Sequence, residues 1–137
     1  MIIIRADASS AIGTGHIMRD LVLAHKLKNE RKEEILFATQ NLQGNLNDKI
    51  IQEGFGVINL ESNDIDEFVS ILERKKPSMI VIDHYDITIK EEKIINDSIN
   101  TKLMIVDDLY KPHQCDIILN HNICADKDKY NGIIPKD

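Results

Sequence analysis

Six short apolar runs separated by amphipathic stretches constrain the fold of this chain more than any other feature. The runs lie at residues 1–5, 35–38, 56–60, 79–83, 103–106 and 117–119, each about the length of a buried strand. Between the first two, Ile17, Leu21 and Ala24, together with Met18 and Val22, recur at helical spacing, so a helix there should bury one stripe against a sheet. Further helices are predicted over 46–53, ending at Gly54, and over 64–75, stopped by Pro77. Thr88-x-x-Glu91 is a capping-box pattern that opens a fourth, running to about Ser98, and His25 should be a solvated mid-helix residue. Strands that alternate with helices must be joined by crossovers, which gives an α/β fold: a parallel sheet with helices on both faces. The first run is the most apolar, so its strand should be central, with Gly13 to His16 at its carboxyl edge.

At 137 residues the chain fits one domain, 1–137, with no internal repeat or boundary. Its net charge of −6 and scattered lysines argue against nucleic acid as a partner, because a phosphate-backbone binder needs a concentrated basic surface. The one basic run, Arg74-Lys75-Lys76, falls where a helix should end and complements the negative end of its dipole. Apolar runs of about five residues are far too short to span a membrane, and the amino terminus does not read as a signal peptide, so a cytoplasmic protein is expected. His113-x-Cys115 and His121-x-x-Cys124 offer metal-type ligands, but a strand over 117–119 would hold Cys115 and His121 about 20 Å apart. No metal site is expected, and both cysteines read as reduced thiols.

Chemistry concentrates where the first strand leaves through Arg5-Ala6-Asp7 into Ala8-Ser9-Ser10-Ala11-Ile12-Gly13-Thr14-Gly15-His16. A helix N-terminus carries unpaired N–H groups and partial positive charge, and the two glycines let a phosphate or sugar approach the backbone. A dinucleotide fingerprint would need a third glycine at position 18, which is Met18, so the NAD reading fails. His16 lies in the first helical turn, where the dipole disfavours imidazolium and a neutral ring can accept a proton. Arg19 shares its helical face and could bind phosphate, although an ordinary surface arginine explains it equally well. A tight turn followed by a solvated histidine remains the bland alternative for the whole corner.

Parallel sheets collect ligands at the carboxyl ends of their strands. The polar residues there are Asp7, Ser9 and Ser10, then Asp83-His84-Tyr85-Asp86, Asp107-Asp108, and Asn120-His121-Asn122. Tyr85 can pack on a sugar or base while its hydroxyl forms a hydrogen bond. Asp107-Asp108 could bind a divalent ion only if adjacent side chains converged, and adjacent residues usually point apart.

The segments Arg5-Ala6-Asp7-Ala8-Ser9 through Ile12-Gly13-Thr14-Gly15-His16-Ile17-Met18-Arg19-Asp20-Leu21-Val22-Leu23-Ala24 closely resemble the opening of one known enzyme family. The match continues in order through Ile80-Val81-Ile82-Asp83-His84-Tyr85, Asp107-Asp108, Lys111-Pro112-His113-Gln114-Cys115-Asp116-Ile117-Ile118-Leu119-Asn120 and Gly132-Ile133-Ile134-Pro135. The family is the UDP-2,4-diacetamido-2,4,6-trideoxy-β-L-altropyranose hydrolases of pseudaminic acid biosynthesis. The resemblance implies a Rossmann-like amino-terminal domain of a glycosyltransferase-B-type two-domain enzyme, related to MurG-type transferases. It implies action on a UDP-sugar without metal or other cofactor, with inversion at the anomeric carbon and His16 as general base. Gly13, Thr14, Gly15 and Arg19 would face the diphosphate or sugar, and Asp83, His84, Tyr85 and Asn120 would line the rest of the substrate site. Members of the family continue into a second, nucleotide-binding domain, so a missing carboxy-terminal domain is expected to complete the site. A glycosyltransferase of the same fold and a non-catalytic sugar-nucleotide-binding module stay open beside the hydrolase.

Overall fold

The structure is a computed structural model that describes residues 1–122 and 125–135. Its strands are β1 (Ile2–Ala6), β2 (Ile35–Gln40), β3 (Gly56–Leu60), β4 (Met79–Asp83), β5 (Lys102–Val106) and β6 (Ile117–Leu119). All pair in parallel, in the order β3-β2-β1-β4-β5-β6. This is a doubly wound, Rossmann-like sheet, with β1 central as expected. The chain winds outward in one direction from β1 to β3 and in the other from β4 to β6. The carboxyl ends of β1 and β4 therefore flank the crevice where such sheets take their ligands.

Side-chain alternation along β1 explains the two layers. Ile2, Ile4 and Ala6 pack with Phe37, Val81 and the buried face of α1 (Gly15–Arg31), whereas Ile3 packs with Ile80 and Leu103 beneath α3 (Ile65–Lys75) and α4 (Ile89–Ser98). Between β2 and β3, α2 (Asn47–Gln52) places Ile50 in the first of these layers. Asp64 caps α3 by accepting the Asp66 N–H at 3.0 Å, and Arg74 and Lys75 occupy its last turn. At the start of α4, the Glu91 carboxylate accepts the Thr88 N–H at 2.9 Å and its hydroxyl at 2.6 Å.

The expected stripe on α1 needs one correction. Its buried face carries Ile17, Asp20, Leu21, Ala24 and Leu27, while Met18 is 44% and Val22 is 72% exposed. A helix turns about 100° per residue, so positions 18 and 22 lie a quarter-turn beyond 17 and 21 and miss the sheet. His25 is solvent-exposed as expected, and its Nε2 also lies 2.7 Å from Glu53.

A helix-free segment, 107–116, joins β5 to β6, and it buries polar groups that need partners. His113 Nδ1–H donates to the fully buried Glu92 at 2.7 Å, and His113 Nε2 lies 3.3 Å from Asp107. Burial disfavours the imidazolium, but the Glu92 and Asp107 carboxylates outweigh it and raise the histidine above its ordinary value. The stability this charge contributes is complete below about pH 6.5 and is lost as pH rises through the elevated folded value. Urea midpoints of the wild type and His113→Gln should therefore converge between about pH 6 and pH 9, and a constant gap would contradict the assignment. Cys115 is a buried thiol, its pKa pushed up to about 12, first by burial. Cys124, the last of the residues considered above as metal ligands, lies outside the described residues, among which no cluster of three His, Cys, Asp or Glu side chains is arranged to hold a metal ion.

Candidate active site

At the switch point, Ala6 pairs with Asp83, so the next residues of the two strands, Asp7 and His84, emerge side by side. Asp7 is 1% exposed and is held by Arg5 through both carboxylate oxygens at 2.8 and 3.0 Å. Gln40 donates to it from its backbone and side chain at 2.7 and 2.8 Å, and His84 Nε2–H donates at 2.7 Å. Burial alone would raise the Asp7 pKa, but hydrogen bonds from His84 and Arg5, the Arg5 charge and the Gln40 amide hold it far below the usual carboxylate range. The other His84 nitrogen, Nδ1, accepts the Asp86 N–H at 3.1 Å. With both ring nitrogens engaged, His84 is a structural wall and has no free position for a proton.

His16 is placed differently. Its Nδ1 lies 2.7 Å from Asp83 Oδ1 and 3.2 Å from the Arg19 guanidinium. The shorter contact is to a carboxylate, so Nδ1 carries the hydrogen and donates it, leaving Nε2 as the basic nitrogen. Tyr85 meets the imidazole edge-on, with ring centroids 4.9 Å apart, while its hydroxyl donates to Asp108 at 3.1 Å. Burial and then the Asp108 carboxylate raise the phenol above its ordinary value, so it stays a donor. Asp7, Ile12, His16, Asp83, His84, Tyr85 and Asp86 together enclose a cleft of about 140 Å³. A more apolar hollow of about 100 Å³, walled by Ile87, Ile105, Leu109 and Pro112, adjoins it across His84 and Tyr85.

The loop leading into α1 is a closed unit. Ser9 exchanges backbone hydrogen bonds with Gly13, and its hydroxyl accepts the Ala11 and Ile12 N–H groups at 3.2 and 2.8 Å. Ser10 donates its N–H to the Gln43 carbonyl at 2.9 Å, and the approach is so close that a Cβ on Gly44 would lie 2.7 Å from the Ser10 nitrogen. Gly13 takes φ +92°, a conformation glycine adopts without strain, but its N–H is committed to Ser9 at 2.8 Å. The helix itself begins bonding with Met18 N–H to the Thr14 carbonyl, and no Thr14 side-chain cap is formed. Gly15, His16 and Ile17 thus present the N–H groups available to an anion at this end.

Of the residues singled out in the sequence, His16, Asp83, His84 and Tyr85 line this cleft and Arg19 stands behind it against His16 and Asp83, whereas Gly13, Thr14 and Gly15 lead into His16 without lining it. Asn120 does not join them. It follows β6, two strands from β4, and donates to the Tyr130 hydroxyl at 3.2 Å, which in turn donates to Asp107 at 2.7 Å. Asp107 and Asp108 diverge, one toward Tyr130 and the other toward Tyr85. The sequence reading did not assign roles to Arg5, Gln40 or Asp20. A charged residue between Ile4 and Ala6, and an aspartate on the stripe shared by Ile17, Leu21 and Ala24, were the available signals.

No protein-family profile matches the chain. It is 39% identical, over 134 residues and 98% of its length, to the UDP-2,4-diacetamido-2,4,6-trideoxy-beta-L-altropyranose hydrolase of Campylobacter jejuni, matching the amino-terminal half of that protein. It is 31% identical over 122 residues, 87% of its length, to an uncharacterized protein of Methanocaldococcus jannaschii. The chain spans 46% of the first relative's length and 24% of the second's.

Proposed function

We propose, from the premise that this chain is related along nearly its whole length to the amino-terminal half of a UDP-sugar hydrolase, that it carries the water-activating half of such an enzyme. The substrate is a UDP-linked 2,4-diacetamido-2,4,6-trideoxyhexose, and a carboxy-terminal half binding most of the nucleotide completes the site. His16 Nε2 removes a proton from water as the oxygen attacks the anomeric carbon from the face opposite UDP, which inverts that centre. The bond from the anomeric carbon to the diphosphate oxygen breaks, and UDP leaves with the electron pair. The Gly15, His16 and Ile17 N–H groups, with Arg19, meet the negative charge that grows on the diphosphate. Asp83 holds the imidazole in the required tautomer, and the imidazolium formed after proton transfer remains paired with it. His84 and Tyr85 form the wall against the sugar.

One observation carries this reading: His16 donates through Nδ1 to a buried aspartate, which leaves Nε2 basic beside a cleft at the switch point. The same geometry would activate a sugar hydroxyl, so the acceptor decides between hydrolase and glycosyltransferase. The test incubates the protein, with its carboxy-terminal half present, with the UDP-sugar and follows UDP release with and without added acceptor sugar. Release at the same rate without acceptor is expected. Release that requires the acceptor assigns a transferase, and no release in either case removes catalysis.

A further inference from the structure

Asp20 lies one helical turn beyond His16 on α1, and its side chain points inward at 1% exposure, on the stripe with Ile17, Leu21 and Ala24. It neighbours Asp83, whose two carboxylate oxygens meet His16 and Arg19 of the same helix. Oδ2 of each aspartate is buried, and neither has a hydrogen-bond donor among the described residues. The Arg19 guanidinium stands 3.6 Å from Asp83 Oδ2, too far for a hydrogen bond. Two neighbouring ionised carboxylates with bare oxygens out of water would repel and lack solvation. A single proton between them removes both defects.

We propose that Asp20 is a protonated carboxylic acid that donates its proton as a hydrogen bond to Asp83, so that Asp20, Asp83 and His16 form one relay. Asp83 is the acceptor because its other oxygen already receives the His16 N–H. Burial and the Asp83 charge both favour a neutral Asp20, with Arg19 opposing. At Asp83, burial is outweighed by the His16 contact and by the hydrogen bond from Asp20, which together stabilise its charge. The groups facing the relay are Arg19 from α1 and His84 and Tyr85 from the loop after β4. Asp7, after β1, has its charge neutralised by Arg5. Asp20 is then a positioning residue. It keeps the relay at one negative charge and anchors Asp83, which orients His16.

The consequence for catalysis rests on the reading of His16 as the base, but the test does not measure turnover and so fails or succeeds separately from it. Carbon-13 NMR of the Asp20 side-chain carboxyl in this chain at pH 6.5 should show a protonated acid, and an ionised carboxylate would overturn the proposal. Titration of His16 by NMR supplies the second arm. Asp20→Asn retains the donor and adds no charge change, so the His16 midpoint should move by less than about 0.3 pH unit, whereas a fall of about one unit or more would mean that Asp20 was charged. Asp20→Leu removes the donor, leaves Asp83 with an uncompensated charge and should raise that midpoint by about one unit. An unmoved midpoint in a folded Asp20→Leu protein would show that the relay is absent. The carboxyl measurement on the wild type stands even if that variant does not fold.

Discussion

Replacing His16 with Asn lowers UDP-sugar turnover by about 100-fold or more, the scale of a lost general base, when the carboxy-terminal half is present. The loss falls on kcat, with KM little changed, because Asn keeps an N–H that can donate to Asp83 and its size suits the first turn of α1. It has no nitrogen able to accept a proton from water. Thermal unfolding of the variant should match the wild type, which separates a chemical defect from a folding one. A wild-type rate across about pH 6 to 9 would show that another group takes the proton. Within the cleft that group would not be His84, since Asp7 and the Asp86 N–H hold both of its nitrogens.

Replacing Asp7 with Ala lowers stability at pH 7 by about 3–5 kcal/mol, a large share of the roughly 5–15 kcal/mol available to a domain. Arg5 is 1% exposed and would be left as a buried charge without its carboxylate, while the Gln40 backbone N–H and the His84 N–H would lose their acceptor. Much of this cost is the penalty for the stranded charge rather than the net value of the ion pair. The pH dependence follows from the depressed pKa of Asp7. Its ionised form stabilises the fold fully above the unfolded carboxylate value of about 3.9, and that contribution is lost as pH falls toward the folded value. Urea denaturation should accordingly show a wide gap between wild type and Asp7→Asn at pH 7 that narrows toward pH 3. Equal midpoints at pH 7 would mean that Arg5 is held by other contacts.

Why were some features legible in the sequence and others not? The strands β3, β4 and β6 occupy the spans expected for them, because short apolar runs bounded by glycine, proline or polar turns have few other ways to bury themselves. The central place of β1 followed from its being apolar on both faces. Met18 and Val22 misled because two apolar stripes fit the same helix, and local spacing does not say which one meets the sheet. At the site, residues after strand ends could be named in advance, since parallel sheets gather ligands there. The hydrogen bond from His16 to Asp83 could not, because it joins residues 67 positions apart and depends on the register that sets Ala6 beside Asp83. The commitment of the Gly13 N–H to Ser9 was hidden for a related reason: the turn that closes the loop is fixed by the Ser9 hydroxyl and by Gly44 approaching from another loop.

Hydrolysis in water enriched in oxygen-18 tests the proposed attack most directly, by locating the label in the products and identifying the first sugar anomer formed. Attack by water activated at His16 predicts oxygen-18 on the anomeric carbon, unlabelled UDP and an anomer opposite in configuration to the substrate. Label in the UDP phosphate, or initial retention of configuration, would contradict it.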